Sequence, residues 1–403
     1  MKSRIWIAVF VSALGYFVDV YDLVLFNVLR VKSLQALSLS PAEITSVGLS
    51  LLNIQLIGLL IGGLLWGVLG DKKGRVSVLF GSIFLYSIAN ILNAFVTSVE
   101  AYSWCRFFAG VGLGGEFGVG VTLVSELMPK EKRGYGTMIV AATGVLGAIT
   151  SALIGDAFAW QTAYIVGGMM GLVLLGLRIG LSESDIFSNL KKSSVQRGSL
   201  KQLISSPPLL KKYLNCILVG APIWIVIGLF MTLSPEIAQV MKIKDPVTVG
   251  RSILFFNIGF GTGDILSSLV SQWLKSRKKA VLGFLILTAC ASAFFLSMGS
   301  VESRAFYSVC IFLGLGAGYW AVFMMVSAEQ FGTNLRATVA TSAPNFVRGL
   351  VVPCSLLLTA MKHEFGLIQC LGLIQGTALV VAFIALFFLQ ETFKRDLSFV
   401  EGK

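Results

Sequence analysis

Among the ionisable residues inside long apolar stretches, the candidates for chemistry are Asp19, Asp22, Arg106, Glu116, Asp264 and Arg348. An Arg or Asp at the centre of a bilayer costs at least ~2.5–3.5 kcal/mol on insertion scales, so such groups need a partner or a wet cavity. At 1.5 Å per helical residue, Asp22 falls roughly 10 Å below one end of its stretch, and Arg106 roughly 8 Å below the same face. A guanidinium beside a carboxylate lowers its proton affinity, and withdrawing it restores that affinity. Such a pair can load and release a proton. Asp19 lies one helical turn from Asp22 on the same face, and Glu116 lies deeper, near the level of Asp19. Asp22 has the better depth match and Asp19 the more central position. The alternative is a permanent ion pair that only fixes helix packing. Asp264 and Arg348 also agree in depth, near the midplane. Arg348 can grip a carboxylate or phosphate through two parallel hydrogen bonds, which would make its ligand an organic anion, or it can neutralise Asp264; both readings stand.

The elements that position these residues follow from composition. The chain has 403 residues, 56% apolar and 13% charged, against roughly 25% charged in soluble domains. Apolar runs of about 20 residues, each able to cross roughly 30 Å of hydrocarbon, recur throughout. The spacing predicts twelve transmembrane helices, near 5–30, 43–69, 75–97, 101–127, 135–158 and 162–181, then 213–240, 248–274, 280–298, 304–329, 337–361 and 367–389. The first carries Asp19 and Asp22 and has no small-residue cleavage site, so it reads as a span and not as a leader. The net charge of +12 falls mainly in alternate loops, around Lys72, Lys132, Lys191, Lys275 and Lys394. That is the positive-inside pattern. It places both termini in the cytoplasm, within a multi-pass bacterial inner membrane protein, and argues against nucleic acid as a partner. Six cysteines without CxxC spacing and a single His363 leave no metal-ligating set, and no cofactor is expected. The glycine run Gly110 to Gly118 lies in an apolar helix with no P-loop lysine after it.

The chain reads as two related halves: a six-helix bundle over 1–181, a polar, basic cytoplasmic linker over 182–212, and a second bundle over 213–403. Glu126 and Arg133 recur as Glu329 and Arg336 at an offset of 203 residues. Leu181, Ser182, Glu183 and Ser184 close the first half much as Leu389, Gln390, Glu391 and Thr392 close the second. Glycines crowd the fourth span and again the tenth, at Gly314, Gly316 and Gly318. Repeated halves are how many carriers place a site at the midplane. The same offset takes Arg348 to Val145 and Asp264 to Ile61, so neither charge belongs to the repeat, which favours ligand work over scaffold. Tyr21, Trp224, Tyr319, Trp320 and Asn345 complete the candidate binding set; Tyr319 and Trp320 stand opposite Glu116 and Phe117 in the repeat.

Between spans two and three stand Gly67, Gly70, Asp71, Lys72, Lys73, Gly74 and Arg75. The glycines allow a tight turn, Asp71 can cap a helix amino terminus, and Arg75 can pair with an acid. This loop resembles the loop between spans two and three of the major facilitator superfamily. Gly15, Asp19, Tyr21 and Asp22 in span one, with Arg106, Gly110, Gly114, Gly115, Glu116 and Gly118 in span four and Glu126, Pro129, Arg133 and Gly134 after it, resemble the metabolite:proton symporter and sugar-porter branches. The likeness is strong in the first half and weak in the second. Gln161 follows Trp160 where the family often has Trp-Arg, and residues 144–155 contain no proline, which argues against the drug antiporter branch. The resemblance implies an all-α major facilitator fold of two pseudo-symmetric six-helix bundles.

It further implies secondary active transport, with proton-coupled symport of a small organic solute by alternating access. Asp19, Asp22, Arg106 and Glu116 would carry the proton coupling. Arg348, Asp264, Asn345, Tyr21, Trp224, Tyr319 and Trp320 would form the substrate site. Gly67, Asp71, Gly74, Arg75, Glu126, Arg133, Glu329 and Arg336 would form the gate. In the second half the offset lands Asp71 on Leu274 and Arg75 on Lys278, so the gate is expected to be asymmetric. The expected partners are substrate, proton or another cation, and the lipid bilayer, with the chain acting as a monomer. An uncoupled facilitator or an antiporter is the near alternative, and a carrier-derived ligand sensor a remote one. Nothing supplies the nucleophile and base of an enzyme.

Overall fold

The computed structural model describes residues 2–129, 131–179 and 197–401. Of the expected linker, residues 182–196 lie outside the described residues, as do Lys130, Leu181, Lys191, Lys192 and the side chain of His363.

In hydrocarbon every backbone N–H and C=O must be satisfied within the segment, which leaves an apolar run of this length no option but helix. Among the described residues the chain is all-helical, and twelve segments are long and apolar enough to cross a bilayer: Ile5–Ala36, Ser50–Lys73, Arg75–Asn93, Val99–Leu127, Arg133–Gly155 and Trp160–Leu177, then Pro207–Met231, Val249–Trp273, Arg277–Leu296, Ser303–Glu329, Arg336–Lys362 and Leu367–Phe388. Starts are set by side-chain oxygens that take orphan N–H groups. Ser40 and Glu43 form a reciprocal capping box, and Ser98, Thr248 and Ser276 each accept from the residue three positions on.

The helices used below are α1 (Lys2–Ala36), α2 (Pro41–Lys73), α3 (Arg75–Asn93), α4 (Val99–Leu113), α5 (Glu116–Leu127), α6 (Arg133–Ala157), α7 (Trp160–Leu177), α8 (Leu200–Ser205), α9 (Pro207–Ile225), α10 (Ser234–Val240), α11 (Val249–Trp273), α12 (Arg277–Leu296), α13 (Ser303–Ala317), α14 (Trp320–Glu329), α15 (Arg336–Gly349), α16 (Val351–Phe365) and α17 (Leu367–Phe388). Four spans expected to be continuous are interrupted. The fourth breaks between α4 and α5 at Gly114 and Gly115, and the tenth between α13 and α14 at Gly318 and Tyr319. The eleventh breaks at Leu350. In the seventh, α9 passes into a π-helical turn, Val226–Met231, just after the internal Pro222. A proline has no N–H to give the preceding turn, and a local π register is one way a helix absorbs that loss.

The chain divides into two compact units. The first comprises Met1–Ser205, Phe331–Asn345 and Asp396–Lys403, and the second Ser206–Gln330 and Phe346–Arg395. In the first unit α1 packs on α6, α2 on α4 and α3 on α7. In the second, α11 packs on α13, α12 on α13 and α9 on α17. Equivalent crossings in the two units rest on backbone contact. A Cβ on Gly62 would strike the carbonyl of Val111, and one on Gly263 would strike that of Leu315 and the Cα of Gly318. Only small residues let helices approach this closely.

Candidate functional site

Within the first unit, α1, α3, α4 and α7 bury a polar cluster. Asp22 and Arg106 are both inaccessible to solvent, and Asp22 lies within electrostatic reach of Arg106 and beside Asn90. Arg106 Nη2 donates to Asn90 Oδ1 at 2.6 Å. The guanidinium also stands over the rings of Tyr164, at 4.9 Å, and Phe26, at 5.9 Å. The Tyr102 and Tyr164 hydroxyls meet at 2.6 Å, and Ser33 joins Tyr102 at 3.1 Å. A nearby guanidinium favours the charged form of a carboxylate, and Arg106 is within reach of Asp22 to do so. Asp19, 1% exposed, shares with Asp22 a position in the field around Tyr86.

Glu116, the first residue of α5, is held differently. It forms a buried ion pair with Arg178, and Arg178 Nη1 also donates to the Leu79 carbonyl at 2.6 Å. Ser82 donates to Glu116 Oε2 at 3.3 Å.

A second cluster in the first unit surrounds the loop between α2 and α3. Gly74 adopts φ 114°, a conformation open to glycine. Asp71 caps α15: its oxygens accept from the N–H of Ala337 at 3.1 Å and of Thr338 at 2.8 Å, and from Thr338 Oγ1 at 2.7 Å. A Cβ on Gly67 would meet the backbone of Thr338 and Ala337, so that glycine seats the same turn. Arg75 pairs with Asp71 at 3.3 Å and with Glu126 at 3.0 Å, and donates to the carbonyls of Gly70 and Thr333. Glu126 Oε1 takes Arg336 as well, at 2.9 Å. Arg336 reaches on to the Leu397 carbonyl at 2.6 Å. Around it the segment after α17 runs back along the residues before α15. Thr333 N–H donates to Phe399 at 2.9 Å, Thr333 Oγ1 to Leu397 at 2.7 Å, and Glu401 N–H to Asn334 Oδ1 at 2.9 Å. Arg133 is buried at the start of α6. Asn345 donates to the carbonyls of Gly114 and Thr341, both at 2.9 Å.

In the second unit, Arg348 lies 3% exposed at the end of α15. Its guanidinium stands 5.1 Å from the Trp224 ring and 5.7 Å from that of Trp320. The two indoles meet edge-on at 6.0 Å, and Trp320 stacks on Phe323 at 5.0 Å. Tyr319 donates its hydroxyl to the Val219 carbonyl at 2.9 Å. Asp264 Oδ1 accepts from the N–H of Ala321 at 2.9 Å, at the start of α14. A guanidinium this close to indole rings is attracted by their π faces, and its planar fork has the geometry of a carboxylate's two oxygens.

Residues 5–353 match the sequence profile described as Major Facilitator Superfamily. The chain belongs to that superfamily. It is a multi-pass membrane transporter and not an enzyme. A protein of Bacillus subtilis (strain 168), named as a candidate niacin/nicotinamide transporter NiaP, is 27% identical over 88% of both chains. The benzoate transport protein of Acinetobacter baylyi (strain ATCC 33305 / BD413 / ADP1) is 24% identical over 83% of this chain and 78% of its own. Among solved structures, the proton:xylose symporter XylE, bound to 6-bromo-6-deoxy-D-glucose, overlays with a TM-score of 0.76 at 16% identity over 98% of each chain. That likeness speaks for the fold.

In this major facilitator protein, then, Asp22 lies within electrostatic reach of Arg106 without contact, Asp71 and Arg75 join Glu126 and Arg336 in one cluster, and Arg348 lies against Trp224 and Trp320. Other expected site residues lie elsewhere. Tyr21 turns its hydroxyl to the Ala163 carbonyl at 2.9 Å. Glu329 pairs in the second unit with Arg277, at 3.6 Å. The 203 offset had set Lys278 opposite Arg75. Arg75 and Arg277 each open a helix, α3 and α12, and aligning helix starts, not the loops before them, brings them together. Lys278 instead donates to the carbonyls of Phe387 and Leu389. Sequence reasoning also missed Arg178, although it is charged and falls within the expected sixth span, and Asn90, one of two asparagines in span three.

Proposed function

We propose that the protein is a proton-coupled symporter of small aromatic carboxylates, working by alternating access in a bacterial inner membrane with both termini in the cytoplasm. The observation that carries the reading is Arg348 lying against both Trp224 and Trp320 inside the hydrophobic span of the second unit. The guanidinium takes the carboxylate and the indoles take the ring, which is what niacin and benzoate, named for two relatives, would need. Asp22 is the proton carrier and Arg106 the charge that sets its affinity, with Asp19 on the same face. Glu116, locked to Arg178, supports the α4–α5 break. Asp71, Arg75, Glu126 and Arg336 form the gate, because a cap plus a shared ion pair is a small set of reversible bonds, each end-of-helix charge being worth about 0.3–1 kcal/mol.

The test is uptake into proteoliposomes of benzoate, nicotinate, xylose and alanine, with and without an inward pH gradient. Benzoate or nicotinate should accumulate above equilibrium only with the gradient, and Asp22→Asn should abolish accumulation while sparing exchange. Arg348→Ala should lower aromatic-acid uptake about 10- to 100-fold, the worth of a charge-assisted hydrogen-bond pair. Uptake indifferent to the gradient identifies a facilitator. Xylose taken up in preference to the acids ends the carboxylate reading.

A further inference from the structure

Asp264 is buried in the second unit, 1% exposed, and its oxygens touch neither a lysine nor an arginine at ion-pair distance among the bonds described. What they meet is the start of α14. Span ten stops at Ala317, turns through Gly318 and Tyr319, and resumes at Trp320. The first N–H groups of a resumed helix have no partner of their own. Asp264 Oδ1 accepts that of Ala321 at 2.9 Å and the carboxylate faces that of Trp320. Backbone contact between Gly263 and Gly318 brings it there. A carboxylate is favoured at a helix amino terminus by the dipole as well as by the bonds. The residue so fixed is Trp320, first in α14, whose ring makes one wall of the Arg348 site.

We propose that Asp264 is a positioning residue for substrate selectivity: by capping the resumed half of span ten it sets the angle of Trp320, and so the preference for an aromatic ring. The inference rests on the Arg348 site reading above. It differs from a role in neutralising Arg348, because a cap needs an acceptor oxygen and not a negative charge. Asparagine retains such an oxygen; alanine does not.

The experiment compares benzoate with cyclohexanecarboxylate, which has the same carboxylate and bulk but no π face. Uptake kcat/KM for both is measured in proteoliposomes, and binding in detergent by tryptophan fluorescence, for the wild type, Trp320→Ala, Asp264→Ala and Asp264→Asn. Trp320→Ala should bring the benzoate preference close to one. Asp264→Ala should do the same, raising the benzoate KM about tenfold, the worth of one charge-assisted bond, with kcat changed less than threefold. Asp264→Asn should keep the preference within about twofold. If Asp264→Ala does not fold, the asparagine variant decides: preference retained supports the cap, preference lost overturns it. Asp264→Asn behaving like a charge deletion, or Asp264→Ala keeping the preference while Trp320→Ala loses it, also overturns the inference and leaves the site reading intact. A preference unchanged by Trp320→Ala sinks the site reading itself, and this inference with it.

Discussion

Glu126 shows what a single carboxylate does when two arginines depend on it. Arg75 and Arg336 both reach Oε1, and all three side chains are inaccessible to solvent. Removing one member of a buried pair leaves an uncompensated charge and costs about 3–5 kcal/mol. Glu126→Gln should therefore lower the unfolding temperature in detergent more than Asp71→Asn, which keeps an acceptor for the α15 cap; scanning calorimetry of the two variants ranks them. Glu116 and Arg178 give the complementary case. Either single alanine variant should lose a similar amount, about 3–5 kcal/mol, while replacing both by leucine should restore most of the stability. A double variant as unstable as the singles would mean that Ser82 or the Leu79 carbonyl carries the contact. These pairings were partly legible. Asp22 and Arg106 were matched in depth, because a helix converts residue number into height. Arg178 was not, because a charge at the end of a span reads as a topology signal.

Helices carry the next level. Glu391 follows α17 and caps α12, accepting from the N–H groups of Arg277 at 2.9 Å and Lys278 at 3.3 Å, and from Ser276. Burial pushes the Glu391 carboxyl up, but the donors outweigh it and hold it below the ordinary value. A group whose folded pKa lies below its unfolded one stabilises at pH above the unfolded value, about 4.3 for glutamate, and that stabilisation is lost as pH falls through the folded value. Stability should decline on acidification below about pH 5, and Glu391→Gln should flatten that part of the profile, measured by thermal unfolding between pH 3 and 7. The segment after α17 is the other element-scale device. Removing residues 396–403 takes from Arg336 its Leu397 acceptor and from Thr333 both carbonyls. Amide exchange should then rise across 332–338 and stay unchanged in α11 to α13. The twelve helices themselves were readable because lipid leaves backbone groups no outside partner, so hydropathy and length suffice. Their interruptions were not readable, because Gly114, Gly115 and Gly318 look the same in sequence whether they pack against a neighbour or break their own helix.

At the scale of the whole chain, the first unit is assembled from three separated stretches: the first 205 residues, 331–345, and 396 onward. A sequence divided at its linker conceals this, because hydropathy says where chain crosses the bilayer and nothing about which crossing a later strand of chain will rejoin. The order of synthesis then matters. Six spans can insert and pack on one another while the ribosome is still copying the second half. Asp71 must wait for Thr338 to emerge before its cap can form, and Arg336 and Thr333 must wait for Leu397 and Phe399. A nascent chain halted before residue 396 would display Thr333, Asn334 and the Arg336 guanidinium without these carbonyl acceptors. That polar edge finds its partners only once residues 397–401 have joined the first unit.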